Sequence, residues 1–238
     1  MKIASWNCNG AYRNKFHFLS GLNADIHVIQ ECENPKTSDV LEYKEYATNH
    51  IWYGSKRDIN KGIGVFAKPE ISLGELEWSN PHSSLFIPVN VNNTFILLAV
   101  WTTIDPYYIG EYIDYQNENI DRYNNDMIII GDFNSGVKFD TKKGVNEERS
   151  HITTVKILSA LGLSSAYHVT KDEKQGSESL PTFYWHRKVE FYSHIDYCYV
   201  NKDRIISFNV LGDTERSRDY WLQYSDHIPL ILDIKSIS

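Results

Sequence analysis

The sequence predicts an α/β domain that contains many strands and few helices. Residues 2–6 and 25–31 have strand-like patterns and enclose a helical stretch, which is the order of a crossover unit. The apolar run 127–130, Met-Ile-Ile-Ile, has the β-branched bias of a strand that is buried on both faces. Because no linker-like segment divides the 238 residues, we expect a single domain over residues 1–238.

Strands in the first half of the chain are marked by apolar or alternating runs that end at glycine or polar residues. We predict them over residues 2–6, 25–31, 61–67, 85–91 and 95–101. The last two strands are separated by Asn92-Asn93, which is typical of a tight hairpin. The spacing of apolar residues predicts helices over residues 12–22 and within residues 105–125.

The second half of the chain has one clear helical pattern among several strands. A charged surface loop is expected over residues 139–150, followed by a helix over residues 151–161 with Gly162 as its C-terminal cap. We predict further strands over residues 163–168, 182–186, 194–200, 208–211 and 228–234, with a charged loop between the last two.

Composition excludes several classes of protein. The formal net charge of −7 argues against a broad polyanion-binding surface, but carboxylates that hold a divalent metal would themselves add negative charge. Cys8, Cys32 and Cys198 show no CxxC spacing, so neither a disulfide framework nor a zinc site is expected. No apolar run is long enough for a membrane helix and no secretory signal is seen. We therefore expect a cytoplasmic protein without membrane contact.

The segment Gly131-Asp132-Phe133-Asn134 follows the buried strand 127–130 directly. In an extended chain, residues i and i+2 point to the same side, so Asp132 and Asn134 would project together from the end of the strand. One interpretation is a chemical site at the edge of a sheet. The alternative is an Asx-type turn, since Asp, Asn, Ser and Gly all favour turns.

Other polar residues close predicted strands along the whole chain: Asn7, Glu31, Asp196, Asp226 and His227. Asp196 alternates with Ile195 and Tyr197 inside a predicted strand, where an unpaired acid would be costly. His27 lies between two apolar residues, and we expect it to be a buried structural histidine.

Five short motifs contain these residues and occur in a fixed order: Trp6-Asn7-Cys8-Asn9-Gly10, Gln30-Glu31, Gly131-Asp132-Phe133-Asn134, His194-Ile195-Asp196-Tyr197 and Ser225-Asp226-His227-Ile228-Pro229. Together they resemble the motifs of the endonuclease/exonuclease/phosphatase superfamily. The resemblance implies a deoxyribonuclease-I-like, four-layer α/β sandwich, in which two packed mixed β-sheets are flanked by helices.

The resemblance also implies a divalent metal, Mg²⁺ or Mn²⁺. Glu31 would be the first metal ligand with Asn7 beside it, and Asp226 would supplement them. Hard cations of this kind prefer oxygen ligands. The metal would withdraw charge from a phosphate during hydrolysis.

Four residues take catalytic roles by the same resemblance. Asp132 would orient or deprotonate the attacking water, and Asn134 would donate to the phosphate oxygens. His227 would contact the phosphate, and Asp196 would pair with it, fixing its tautomer and raising its pKa.

The chain departs from the family pattern after the strand 95–101, where many members place a second phosphate contact. Trp101 or Thr103 would take that place, with Tyr107 or Tyr108 reaching in from the following loop; the alternative is that Trp101 belongs to the core. His186 and Arg187 follow three aromatic residues and would contact nucleic acid. The alternative for them is an exposed hairpin tip.

These observations favour a metal-dependent phosphodiesterase, a nuclease acting on DNA or RNA, with nucleic acid as substrate and no protein partner predicted. A small-molecule phosphatase of the same superfamily is the first alternative, supported by the acidic charge. The Pro-Ala-Trp-type segment of inositol phosphatases is not found in the sequence. A binding module that has lost its chemistry is the second alternative.

Overall fold

The computed structural model describes residues 1–82, 85–104, 108–141 and 147–235. Its strands are β1 (Lys2–Asn7), β2 (Ile26–Cys32), β3 (His50–Gly54), β4 (Gly62–Ala67), β5 (Leu73–Glu75), β6 (Leu85–Val91), β7 (Phe95–Trp101), β8 (Ile128–Asp132), β9 (Ser164–Ser165), β10 (Phe183–Tyr184), β11 (Tyr192–Ser193), β12 (Asp196–Val200), β13 (Ile205–Val210) and β14 (Leu230–Ile234). Its α-helices are α1 (Phe16–Ser20), α2 (Leu41–Tyr46), α3 (Tyr108–Glu118), α4 (His151–Ala160), α5 (Ala166–Lys171) and α6 (Glu215–Leu222).

Two six-stranded mixed sheets form the centre of the fold. The first sheet has the order β13-β14-β1-β2-β4-β3, and the second has the order β5-β6-β7-β8-β12-β9. Strand β1 runs parallel to β2 and antiparallel to β14, while β7 and β8 run parallel in the other sheet. Strands β10 and β11 form a separate two-stranded hairpin. This arrangement, with helices flanking both sheets, confirms the predicted fold class.

The hydrophobic core lies mainly between the two sheets. Val28 of β2 and Leu97 of β7 belong to one cluster of buried side chains, which also contains Ile128 and Ile130 of β8. The intervening residue, Ile129, faces the other way and packs in the second cluster with residues of α3 and α4. Strand β8 is thus buried on both faces, which explains why its sequence is a continuous apolar run instead of an alternating one.

One predicted strand is wrong. Residues 163–168 pair only at β9, and the chain then turns into α5. The apolar residues Leu163, Ala166 and Tyr167 have the i, i+3, i+4 spacing of a helix, and all three are buried. His168 holds the first turn by a 2.7 Å hydrogen bond between its Nδ1 and Ser165 Oγ.

Other predicted elements are shorter than expected or were missed. Only Phe183–Tyr184 of the strand predicted at 182–186 is paired, because His186 has a left-handed backbone (φ +52°) that ends it. The supposed loop between β13 and β14 contains α6, whose first turn is capped by the Thr214 hydroxyl. Helix α2 and strands β3 and β5 were not predicted. Residues 105–107, including Tyr107, and residues 142–146 lie outside the described part of the chain.

No helix in the described ranges combines the length and the apolar character needed to cross a membrane.

Candidate active site

The polar residues singled out in the sequence meet at one edge of the two sheets. Asn7 ends β1 and Asp132 ends β8, so two strand ends from different sheets face each other. The Asn7 Nδ2 donates to Asp132 Oδ2 at 2.9 Å and to Glu31 Oε1 at 3.2 Å. One amide therefore joins the first sheet to the second at the point where the carboxylates gather.

Glu31 reaches this edge because β2 is irregular there. The pairing of β2 with β4 shifts register between Gln30 and Cys32, and Glu31 itself has a left-handed backbone with φ +62°. Such a bulge re-aims one side chain at a local conformational cost. The second carboxylate oxygen, Glu31 Oε2, accepts a 2.5 Å hydrogen bond from the ammonium of Lys61.

Gly131 allows β8 to approach β7 closely just before Asp132. Its φ is +147°, and a Cβ at this position would lie 2.0 Å from the carbonyl oxygen of Val100. Asp132 is fully buried; its Oδ1 accepts the backbone N–H of Asn134 at 2.8 Å. The Asx-type turn and the sheet-edge site, which are alternatives at the level of sequence, are therefore parts of one arrangement.

The side-chain amide of Asn134 donates hydrogen bonds within the protein. Its Nδ2 donates to Asp132 Oδ2 and to the Thr102 carbonyl, both at 3.0 Å. The expected donation from Asn134 to a phosphate oxygen is thus not prepared in this conformation, and the amide instead fixes the orientation of the Asp132 carboxylate.

His227 lies between two carboxylates. Its Nδ1 donates to Asp196 Oδ2 at 2.9 Å, and its Nε2 is 3.9 Å from Asp132 Oδ2. Burial by itself lowers the pKa of His227, but the charges of Asp196 and Asp132 outweigh it and raise the pKa to about 10. Burial also raises the pKa of Asp132 above its ordinary value. The two neighbouring carboxylates therefore favour the protonated imidazole, which Asp196 holds through Nδ1.

The backbone around these groups is fixed by residues that sequence reasoning missed. Ser225 Oγ donates to the Asn7 carbonyl at 2.7 Å and accepts the N–H of His227 at 3.0 Å. Thr182 Oγ1 accepts the N–H of Asp196 at 3.0 Å. Ser225 lies inside a quoted motif, so its position was a usable signal, whereas nothing in the sequence distinguishes Thr182.

Two sets of residues could hold a metal. The ligand atoms of Asp132, Asp196 and His227 all lie within 4.8 Å of one another, and this is the only such group of acids, histidines and cysteines in the described ranges. Within this group the imidazole of His227 lies 2.9 Å from Asp196 Oδ2 and 3.9 Å from Asp132 Oδ2. Glu31 offers carboxylate oxygens, and the neighbouring Asn7 turns its Nδ2 toward Glu31 while its Oδ1 accepts the N–H of Asn9 at 3.1 Å. Asp226 lies outside the group.

The residues expected to contact substrate have different surroundings. Trp101 is only 7% exposed and belongs to the core between the sheets, which is the alternative to a phosphate contact that the sequence left open for this residue. Thr103 is held by the bond from its N–H to Glu111 Oε2 at 2.7 Å. Tyr108 begins α3. His186 and Arg187 are exposed in the turn between β10 and β11.

The hairpin β10–β11 lies beside His227. Phe183 of β10 forms a bridge with His227, and their ring centroids are 4.8 Å apart. Further along the hairpin, the side chains of Trp185 and Phe191 are 59% and 56% exposed, and Arg187 lies between them in the sequence. Exposed aromatic side chains with a basic neighbour thus border the candidate site.

Residues 4–227 match the model of the endonuclease/exonuclease/phosphatase family. No match was found among curated proteins.

Among solved structures, an AP endonuclease from Archaeoglobus fulgidus superimposes with a TM-score of 0.70 at 16% identity, covering 99% of this chain and 100% of that one. A 3′-5′ exonuclease (NExo) from Neisseria meningitidis gives 0.66 at 17% identity, with 99% and 100% covered. The endonuclease domain of TRAS1, a telomere-specific non-LTR retrotransposon, gives 0.63 at 15% identity, with 98% and 97% covered. At these identities the likeness concerns the fold, which is deoxyribonuclease-I-like.

Proposed function

Because the chain belongs to the endonuclease/exonuclease/phosphatase family, we propose that it is a metal-dependent nuclease that hydrolyses phosphodiester bonds in DNA or RNA. The observation that carries the proposal is the buried imidazole of His227, held between Asp196 and Asp132 at the edge of both sheets. A fixed positive charge beside a buried carboxylate suits hydrolysis of a phosphate ester, which needs both charge stabilisation and an activated water.

Each residue has a distinct task in this proposal. His227 donates from Nε2 to a phosphate oxygen, and Asp196 keeps the opposite nitrogen protonated. Asp132 receives a proton from the attacking water or orients it, since burial brings its pKa closer to neutrality. Asn7 and Asn134 hold the Asp132 carboxylate in place.

Glu31 and Asn7 are the proposed residues for Mg²⁺ or Mn²⁺. The Glu31 carboxylate matches the preference of a hard cation and already holds a cation, the ammonium of Lys61. Asn7 would contribute its Oδ1, which accepts the N–H of Asn9 in this structure. When bound, the metal would withdraw charge from the phosphate. Asp226 remains a candidate for a supplementary ligand.

Nucleic acid is favoured as substrate by the hairpin β10–β11. Exposed Trp185 and Phe191 offer faces on which bases can stack, and Arg187 offers a phosphate contact. All of the solved structures described above are named as nucleases. The formal charge of −7 favours the alternative, a small-molecule phosphatase that uses the same residues.

The test is hydrolysis of a substrate panel in Mg²⁺, Mn²⁺ or EDTA. The panel contains single- and double-stranded DNA, an abasic duplex, RNA and phosphorylated small molecules. We expect metal-dependent cutting of a nucleic acid that is lost in Asp132→Asn and kept in Asp121→Asn, a matched change at an exposed turn. Release of phosphate from small molecules alone would select the phosphatase. Equal cutting by Asp132→Asn would refute the proposed chemistry.

A contribution of the hairpin can be separated from the chemistry. Trp185→Ala should raise KM for a nucleic-acid substrate and leave hydrolysis of a small activated phosphodiester unchanged. An unchanged KM for nucleic acid would remove the hairpin from the binding surface.

A further inference from the structure

Each carboxylate oxygen of Glu31 accepts a hydrogen bond from another side chain of the protein. Its Oε1 accepts from Asn7 Nδ2 at 3.2 Å, and its Oε2 accepts from Lys61 Nζ at 2.5 Å. The side chains of Lys61 and Glu31 are 31% and 20% exposed, so the pair is partly shielded from water. The proposed metal ligand is therefore already neutralised by a cation that belongs to the chain.

Lys61 is placed for this contact by the strand that follows it. It comes directly before β4, the antiparallel neighbour of β2, so its stem crosses from one strand to the other at the bulge. A Cβ on Gly10 would lie 3.7 Å from the Lys61 Cε, so the stem also runs over the loop that follows Asn7. The ammonium thus lies at the junction of the two elements that carry the proposed metal ligands.

From this ion pair we infer that Lys61 is a built-in counter-cation, which an incoming divalent metal must displace from Glu31. The inference rests on the proposed metal site and extends it. Two cations on one carboxylate repel each other, whereas the flexible four-carbon stem of lysine allows the ammonium to leave. Lys61 would lower the affinity of the site for metal while keeping Glu31 oriented in the metal-free protein.

A second acidic residue, Asp58, precedes Lys61 in the same turn. The Lys61 N–H donates to the Asp58 carbonyl at 3.0 Å, so both residues belong to one tight turn. Burial lowers the pKa of Lys61, but the hydrogen bond and charge of Glu31 and then the charge of Asp58 raise it. Asp58 thus adds a negative charge to the electrostatic surroundings of the Lys61 ammonium.

The test measures Mn²⁺ binding to the metal-free protein without substrate, by electron paramagnetic resonance of the unbound ion. Lys61→Met keeps the stem and removes the charge, so Mn²⁺ should bind about tenfold more tightly, or ~1.4 kcal/mol. Lys61→Arg keeps the charge and can pair with Glu31 through two N–H groups, so it should bind Mn²⁺ no more tightly than the wild type does. Glu31→Gln should weaken binding. A damaged fold would weaken Mn²⁺ binding, so tighter Mn²⁺ binding by Lys61→Met could not be caused by misfolding.

The outcomes separate this inference from the proposed function. In one outcome, Lys61→Met binds Mn²⁺ no more tightly than the wild type does, while Glu31→Gln binds it more weakly. That result would overturn the proposed competition between Lys61 and the metal for Glu31, and would leave the metal site itself supported. Glu31→Gln binding Mn²⁺ like the wild type would overturn the metal site, and the inference with it. If Lys61→Met does not fold, Lys61→Gln replaces it under the same criteria.

Discussion

Replacing Gly131 by alanine should destabilise the protein strongly, because two separate costs coincide at this position. The backbone has φ +147°, a conformation that L residues rarely adopt, and strain of this kind costs about 1–3 kcal/mol. The new Cβ would also lie 2.0 Å from the Val100 oxygen. Relieving that overlap requires β8 to move away from β7, and overpacking of a buried site costs about 1–3 kcal/mol. We expect a loss of about 4 kcal/mol.

Two other glycines allow the costs to be separated. Gly162 has φ +81°, and its Cβ would lie 3.2 Å from Asn125, so Gly162→Ala should lose about 1–2 kcal/mol, mostly from the backbone. At Gly74 the backbone is not left-handed and the nearest atom would be 3.6 Å away. Gly74→Ala should therefore stay within about 1 kcal/mol of the wild type.

Urea unfolding followed by far-UV circular dichroism measures all three variants on one scale. Since the whole free energy of unfolding of a domain is about 5–15 kcal/mol, the predicted loss at Gly131 should move the midpoint markedly. A loss at Gly131 no larger than that at Gly162 would refute the reasoning, because it would mean that β7 and β8 accommodate a side chain between them.

Asp196→Asn should lower the pKa of His227 by about 1–3 units, because the carboxylate 2.9 Å from Nδ1 favours the imidazolium. The pKa is measured by NMR titration of the imidazole, and the wild-type value in the variant would contradict this prediction. Burial lowers the pKa of His27 to about 4, against about 6.5 in the unfolded chain, so its stabilising contribution is complete above pH ~6.5 and is lost as pH falls towards 4. The stability gap between wild type and His27→Gln, measured in urea at several pH values, should shrink by up to about 3 kcal/mol over that range, and a constant gap would refute the assignment. Ser225→Ala should cost about 2 kcal/mol in urea unfolding, since the buried N–H of His227 loses its acceptor; a cost below about 0.5 kcal/mol would contradict this.

The sequence predicts the strands that carry the candidate site because their patterns are local. The apolar run before Gly131 and the polar residues at strand ends are visible without any knowledge of the fold, and the burial of His27 follows from its apolar neighbours. Helix α6 was missed because Glu215–Leu222 is mostly polar and its helical character depends on the Thr214 cap and on burial of Trp221 and Leu222.

Details of the candidate site depend on contacts that no local pattern encodes. Residues 25–31 read as a regular strand, yet the bulge at Glu31 arises from the register of β2 against β4. The partner of Glu31, Lys61, comes directly before that neighbouring strand, 30 residues further along the chain. The inward turn of the Asn134 amide follows from the position of the Thr102 carbonyl, which is fixed by the pairing of β7 with β8.

The central place of β1 in its sheet has a consequence for biosynthesis. This strand is translated before the other strands of the domain, but one of its two neighbours is β14, so the β1 edge stays open until nearly all of the domain has been translated. The bond from Trp6 Nε1 to the His227 carbonyl spans 221 residues and closes equally late. A nascent chain that stalls before β14 would present an apolar unpaired edge, the kind of surface that invites aggregation or capture by chaperones.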